Sequence, residues 1–152
     1  MHASPFNRSR AGFTLVEALI VIVVLGILVG ALAPVVSRQI SHSRVNNAAQ
    51  LLAADLESAL SLAGRQRTPV RMTVDPAQRA VLITDRASGT IITRRSYGPD
   101  SEFKVETLSA SPSSTDLLPQ GRATSAATLT VGIGSYSRQV MLTRAGLVRV
   151  QQ

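Results

Sequence analysis

The sequence predicts an α+β fold in which a long N-terminal helix, transmembrane in its first half, packs on a small antiparallel β-sheet domain. Two observations carry this prediction. Residues 18–37 form an apolar block without a single charge, whereas the chain beyond residue 69 alternates apolar and polar residues. A period of two is typical of strands. The length of 152 residues allows one small domain with an appendage.

The first element is a short leader. Residues 1–12 are polar and basic and show no periodicity that a fold could use, which is typical of a processing segment. An apolar block begins abruptly at residue 13. At about 1.5 Å per helical residue, its 20 uncharged residues reach roughly 30 Å, the thickness of the hydrocarbon core of a bilayer. The sequence therefore predicts a helix that is long enough to span a membrane.

The residues alone leave three interpretations of this block open. Residues 31–33 (Ala-Leu-Ala) supply a small-residue site for secretory cleavage, but Pro34 follows them directly. An uncleaved anchor explains the length but not Glu17, because a carboxylate in the apolar region costs about 2.5–3.5 kcal/mol. Cleavage between Gly12 and Phe13 would create an α-amine that could pair with Glu17 of a neighbouring subunit.

The order Gly12-Phe13-Thr14-Leu15-Val16-Glu17, followed by an uncharged run, resembles the type IV prepilin signature of pilins and type II secretion pseudopilins. This resemblance implies cleavage after Gly12 and N-methylation of Phe13 by a prepilin peptidase, with Glu17 as the assembly residue. It also implies a type IV pilin-like fold. The subunit would cross the bacterial inner membrane once, with its C-terminal domain in the periplasm, and would be stored in that membrane until it enters a filament. The leader is then 1–12 and the transmembrane and assembly helix is 13–37.

The helix is expected to continue over 38–64 as an amphipathic segment, because apolar residues recur there at spacings of three and four. These residues are Val45, Ala48, Ala49, Leu52, Leu56, Ala59, Leu60 and Ala63. Gly64 is the expected C-terminal stop. Pro34 lacks a backbone N–H and is expected to kink the helix or to open it locally. It also matches the mid-helix proline of the pilin-like family. Because so long a helix cannot bury its whole face against the 88 residues that follow it, we expect its first half to find partners in lipid or in other subunits.

Residues 65–152 are expected to form the periplasmic β-sheet domain. Strands are predicted at residues 70–74, 80–84, 90–96, 103–107, 129–131, 140–142 and 148–150. No helical pattern separates them, so they should pair antiparallel. The Ser-rich segment 109–116 is expected to be an exposed loop, and turns are expected at residues 132–137 and around Gly146.

The end of the chain carries a second resemblance. Residues 118–121 (Leu-Pro-Gln-Gly) and 138–149 are similar to the end of the minor pseudopilin H and FimT-like group. This resemblance implies a minor pseudopilin of the type II secretion system, a structural subunit of the pseudopilus that drives export of folded proteins across the outer membrane. Its partners would be the prepilin peptidase, other minor pseudopilins and the major pseudopilin. The alternative is a FimT-like minor pilin of a type IV pilus with a role in DNA uptake.

The composition argues against an enzyme. The chain has no Cys, which removes disulfides, thiolate metal sites and a cysteine nucleophile. After removal of the leader, His42 would be the one histidine, and no metal-ligand spacing is present. We therefore assign no catalytic residue, metal or cofactor, and a membrane-anchored hydrolase is disfavoured.

The basic residues raise the question of an anionic partner. The net charge is +7, and Arg138, Arg144 and Arg149 near the chain end are candidates for contact with an anion. Relatives in the FimT-like group that bind DNA end in Gly-Arg-x-Arg, whereas here Leu147 replaces the first of these arginines. This replacement disfavours nucleic acid as a partner. The alternative is that the arginines solvate the surface of a small domain.

Overall fold

A computed structural model describes residues 13–151. The chain divides into two compact units, one ending at Arg38 and the other beginning at Gln39. A single helix, α1 (Leu15–Gln66), is followed by nine strands. The bounds of the strands are β1 Val70–Asp75, β2 Ala80–Asp85, β3 Ile91–Ser96, β4 Thr107–Ser111, β5 Ser114–Leu118, β6 Arg122–Ala123, β7 Ala127–Ile133, β8 Tyr136–Leu142 and β9 Val148–Gln151.

The first half of α1 is apolar on all sides. Its large apolar side chains are exposed along the whole of this half, with exposed fractions of 81% for Leu15, 54% for Leu25 and 55% for Val36. By length and composition, α1 is the one helix among residues 13–151 that could cross a membrane. A helix that is apolar all round belongs in the core of a large protein or in lipid.

The second half of α1 is amphipathic, as predicted. All eight apolar residues named for this stripe, from Val45 to Ala63, are buried and belong to the core cluster of the unit. The same cluster takes side chains from both halves of the strand region, including Met72 and Leu129, each with no exposed surface. The amphipathic stripe therefore provides one wall of a single core.

The expected helix stop at Gly64 is wrong, because α1 continues to Gln66. Arg67 follows with a positive φ of 57°. A residue in this left-handed conformation commonly ends a helix, usually as glycine. Thr68 and Pro69 come next, and since proline cannot continue a helix, the chain turns into β1.

The strands form two antiparallel sheets. The first has the order β3-β2-β1-β5-β6 and the second has the order β4-β7-β8-β9. Side chains alternate between the two faces of β1, and Val70, Met72 and Val74 lie on the buried face, in the same core cluster as the α1 stripe. In the second sheet, β7 pairs β8 through seven residue pairs from Ala127–Leu142 to Ile133–Tyr136. The turns predicted before β8 and around Gly146 are present, and Gly146 has a φ of 82°.

Two expectations for the middle of the chain are wrong. The Ser-rich segment 109–116 is not a loop, because β4 and β5 occupy most of it. Strand β5 pairs β1, with Val70 opposite Leu117, and its Thr115 and Asp116 are buried. Conversely, Phe103 and Val105 lie outside any strand, although both are buried and the N–H of Val105 donates to the carbonyl of Tyr97 at 2.9 Å. In the Ser-rich segment, the pairing of β4 with β7 and of β5 with β1 outweighed a local composition that is typical of loops.

Candidate assembly site

The start of α1 is capped by Thr14. Its Oγ1 accepts a hydrogen bond from the N–H of Glu17 at 3.1 Å, and its carbonyl accepts one from the N–H of Ala18 at 3.1 Å. Thr14 is therefore the N-cap and Glu17 is the third helical residue, the spacing of a capping box. The Thr-x-x-Glu spacing in the sequence signals this role of Thr14, although it was not among the predicted site residues.

Glu17 is the one charged residue between residues 13 and 37. The carboxylate lies in the first turn of α1, where the helix dipole favours a negative charge. Its neighbours Val16 and Ile20 are 64% and 55% exposed, and no ion pair reaches Glu17 from the rest of residues 13–151. Phe13, four positions earlier, is 83% exposed. Gly12 lies outside the described residues, so cleavage after it stays a prediction, as do methylation of Phe13 and pairing of Glu17.

Pro34 lies inside α1. Because proline has no backbone N–H, the carbonyl of Gly30 loses its usual helical donor. One turn further on, the Oγ of Ser37 donates to the carbonyl of Pro34 at 3.1 Å. The helix is continuous across this position, and the kink expected at Pro34 stays a prediction.

The structure does not bring the three candidate arginines together. Arg138 lies on the β8 face that also carries the buried Val140, and its Nε donates to Oδ1 of Asn46 on α1 at 2.8 Å. Arg149 pairs with Met141 in the β8–β9 ladder and therefore lies on the opposite face. Arg144 is exposed in the turn between these strands. Anion contact by any of the three stays a prediction.

Arg144 has a different basic neighbour. It lines a cavity of about 550 Å³ together with Arg122, a residue that sequence analysis did not select. A close approach of two backbone segments shapes this region, because a Cβ added at Gly146 would lie 1.8 Å from the carbonyl oxygen of Gly121. Both positions have positive φ values, 82° and 73°, which glycine adopts without strain.

Asp116 forms an ion cluster that sequence analysis also missed. Its Oδ1 accepts from Nε of Arg71 at 2.7 Å, and its Oδ2 lies 2.6 Å from Nε of Arg86. The Asp116 side chain is only 11% exposed, whereas the two arginines are about half exposed. Hydrogen bonding and charge from Arg71, with a smaller effect of Arg86, lower the pKa of Asp116. The cluster explains how an acid can lie buried in β5.

A second polar cluster ties α1 to β3. Oδ2 of Asp55 accepts from Nε of Arg95 at 2.5 Å and from the hydroxyl of Tyr97 at 3.1 Å. The hydrogen bond to Asp55 raises the pKa of Arg95, while burial, followed by the Asp55 charge, raises that of Tyr97. Tyr97 is completely buried and also contacts Phe103, with ring centroids 5.7 Å apart. These contacts fix the edge strand β3 against the helix.

Two family comparisons match separate parts of the chain. The Prokaryotic N-terminal methylation motif matches residues 7–33. The Type II transport protein GspH family matches residues 48–146, about two thirds of the sequence. The chain belongs to the GspH family. It is a minor pseudopilin of type II secretion, which confirms the resemblance found at both ends of the sequence.

Solved structures share the fold of this GspH-family protein. The Pseudomonas aeruginosa type IV minor pilin FimU matches with a TM-score of 0.59 and 18% identity, covering 72% of this chain and 90% of FimU. The minor pseudopilin EpsH of the Vibrio cholerae type 2 secretion system matches with a TM-score of 0.53 and 15% identity, covering 71% of this chain and 96% of EpsH. No curated protein sequence matches the chain significantly. The structures confirm the pilin-like α+β fold, and the family match carries the assignment to secretion.

As a GspH-family pseudopilin, the protein is a structural subunit and not an enzyme. His42 has a structural contact, because its ring stacks on that of Tyr136 with centroids 3.9 Å apart and planes inclined by 19°. Within residues 13–151, no group of three or more His, Cys, Asp or Glu residues could hold a metal ion. The methylation motif implies processing by a prepilin peptidase, and membership of the GspH family implies assembly with other pilin-like subunits in a pseudopilus.

Proposed function

We propose that this GspH-family subunit crosses the bacterial inner membrane once, with its C-terminal domain in the periplasm, and then enters the pseudopilus beside other minor pseudopilins and the major pseudopilin. Extension of that filament would push folded proteins through the outer membrane. In this proposal residues 1–12 are the leader, residues 13–37 are the transmembrane and assembly helix, residues 38–66 continue that helix, and residues 67–152 form the periplasmic β-sheet domain.

One observation carries the proposal. A methylation motif over residues 7–33 and a GspH domain over residues 48–146 share one 52-residue helix, whose first half exposes every large apolar side chain. Exposed apolar surface of this extent needs lipid or other helices as its surroundings. A filament subunit that is stored in a membrane meets both environments in turn.

The joint between subunits is proposed at the start of α1. Cleavage after Gly12 leaves a free α-amine on Phe13, which the peptidase then methylates with a methyl donor. The resulting ammonium cation would pair with the Glu17 carboxylate of a neighbouring subunit. Each charge alone is costly in an apolar bundle, but the pair offsets that cost and sets the axial register of adjacent helices. The position of Glu17 in a capped first turn supports this role, because Thr14 fixes where the carboxylate leaves the helix.

The mature N-terminus tests the processing step. The full chain would be expressed with its cognate prepilin peptidase, and the membrane form would be analysed by intact mass and N-terminal sequencing. We expect a chain that begins with N-methylated phenylalanine at position 13. A membrane form that begins at Met1 or at Pro34 would contradict the proposal.

The assembly step is tested by Glu17→Ala. This variant should insert and be cleaved, because neither step needs the paired carboxylate, but it should remain in the membrane fraction and not enter sheared pseudopili. Glu57→Ala is the matched control, since Glu57 is an exposed carboxylate on the same helix beyond the membrane segment. Equal incorporation of the two variants would refute the pairing.

A further inference from the structure

Strand β3 is a free edge of the five-stranded sheet. Among residues 13–151 it pairs with β2 and with no other strand. The N–H of Tyr97 donates to the carbonyl of Arg79, on the β2 side. Because the direction of these groups alternates along an antiparallel strand, the N–H and C=O groups of Arg94 and Ser96 point away from β2. One side of β3 therefore offers backbone groups that can accept a further strand.

A cavity of about 310 Å³ opens beside this edge, between α1 and strands β2 and β3. Four of its lining residues are apolar, Ala59, Leu62, Ile83 and Ile92, and this part of the lining is called the floor. Ile92 is 38% exposed although it lines this floor, so the cavity presents apolar surface to solvent. The volume lies at the lower end of the range of about 300–1,000 Å³ for small-molecule sites, so it suits side chains better than a large ligand.

An irregularity in β3 builds this floor. The register with β2 shifts between Ile83 and Thr84, so that Thr93 lies opposite Ile83 while Ile91 lies opposite Thr84. The extra residue is Ile92. In a regular strand, Ile92 and Thr93 would point to opposite faces, yet both line the cavity. A bulge re-aims a side chain in this way, and it leaves residues 93–96 as the regular part of the edge.

The rim of the cavity carries excess positive charge. Arg65, Arg95 and Asp55 line it. Asp55 is already engaged, because it accepts hydrogen bonds from Arg95 and from Tyr97. Arg65 is exposed in the last turn of α1 and forms no ion pair within the described part of the chain. The unbalanced guanidinium favours a partner that brings a carboxylate.

From these features we infer that β3 and the adjoining cavity form a docking groove for an extended, acidic segment of a partner protein. The segment would add to β3 as a further strand along residues 93–96, place an apolar side chain on Ile83 and Ile92, and set a carboxylate beside Arg65. Main-chain hydrogen bonds supply affinity in this mode of recognition, and alternate side chains supply specificity. This inference goes beyond the helix joint proposed above and does not depend on it.

Synthetic peptides test the chemistry of the partner. The full chain in detergent micelles would be titrated into three fluorescent eight-residue peptides: alternating glutamate and leucine, alternating lysine and leucine, and alternating glutamate and serine. We expect the first to bind at least about tenfold more tightly than either of the others. Only this peptide brings both carboxylates for the positively charged rim and apolar side chains for the floor. Equal affinity of all three peptides would overturn the proposal.

Two variants locate the peptide. Arg65→Glu should weaken binding of the glutamate–leucine peptide about tenfold, because attraction becomes repulsion. The matched control is Arg122→Glu, which makes the same charge change on β6, at the opposite edge of the same sheet, and should leave the affinity within about twofold. Equal weakening by both would show that general charge, and not the groove, holds the peptide, and would refute the assignment.

A backbone variant tests strand addition itself. Arg94→Pro removes a donor that points away from β2, so β2–β3 pairing can persist. Arg94→Ala removes the same side chain and keeps the donor. With unchanged circular dichroism, we expect Arg94→Pro to bind the glutamate–leucine peptide several-fold more weakly than Arg94→Ala. Equal affinities would exclude strand addition at β3. None of these measurements depends on N-terminal processing, so their failure would leave the assembly joint untouched.

Discussion

The two halves of α1 use similar apolar residues in opposite surroundings. Leu25, in the first half, is 54% exposed, whereas Leu52, in the second half, has no exposed surface. The difference lies in arrangement, because the first half is apolar all round and the second half carries one stripe between polar residues. A stripe can be covered by one sheet domain, but an entirely apolar cylinder cannot. One helix therefore serves folding at one end and insertion or assembly at the other.

The largest expected effect comes from replacing one leucine in each half. Leu52→Ala should lower the free energy of unfolding of the globular unit by about 2–5 kcal/mol, because it removes a buried side chain and leaves a cavity. Leu25→Ala should change it by less than about 0.5 kcal/mol. Urea unfolding of the full chain in detergent, followed by circular dichroism of the sheet signal, measures both. Similar losses for the two variants would break the distinction between the halves.

An intermediate effect is expected at Asp116. Its bonds to Arg71 and Arg86 exist only in the folded globular unit, but both arginines are about half exposed, so screening limits their contribution. Asp116→Asn should therefore cost about 1–2 kcal/mol. The exposed Asp100, which forms no ion pair within residues 13–151, provides the control, and Asp100→Asn should cost less than about 0.5 kcal/mol.

The loss of stability caused by Asp116→Asn should depend on pH. The folded unit lowers the pKa of Asp116, so its stabilising contribution is present above the unfolded pKa of about 3.9 and is lost as the pH falls through the lower folded value. The difference in stability between the unsubstituted chain and Asp116→Asn should therefore shrink below about pH 4. Unfolding titrations from pH 7 down to pH 2 measure it, and a difference that grows on acidification would contradict the ion cluster.

The smallest effect is expected at the end of α1. Arg67→Gly should stabilise the globular unit by about 0.5–1 kcal/mol, because glycine adopts a φ of 57° without the steric cost that arginine meets there. Gln66→Gly, one position earlier and still helical, should instead destabilise it by about 0.5–1 kcal/mol. Thermal unfolding of the two variants compares them. A loss of stability in both would show that the helix does not end at Arg67 in solution.

The sequence by itself determined the features that repeat locally. The motif from Gly12 to Glu17, the stripe from Val45 to Ala63 and strands such as β1 and β7 were all visible, because their signals lie within a few residues. Even the missed cap at Thr14 follows a local spacing.

Only the tertiary structure decided the Ser-rich strands β4 and β5 and the bulge that brings Ile92 into the lining of the cavity. It also separated Arg138 from Arg149 and paired Arg71 with Asp116, which lie 45 residues apart. The physical reason is the same in each case. A polar strand or a buried acid is stable only when a distant segment supplies its hydrogen bonds and packing, and that partner leaves no mark on the local sequence.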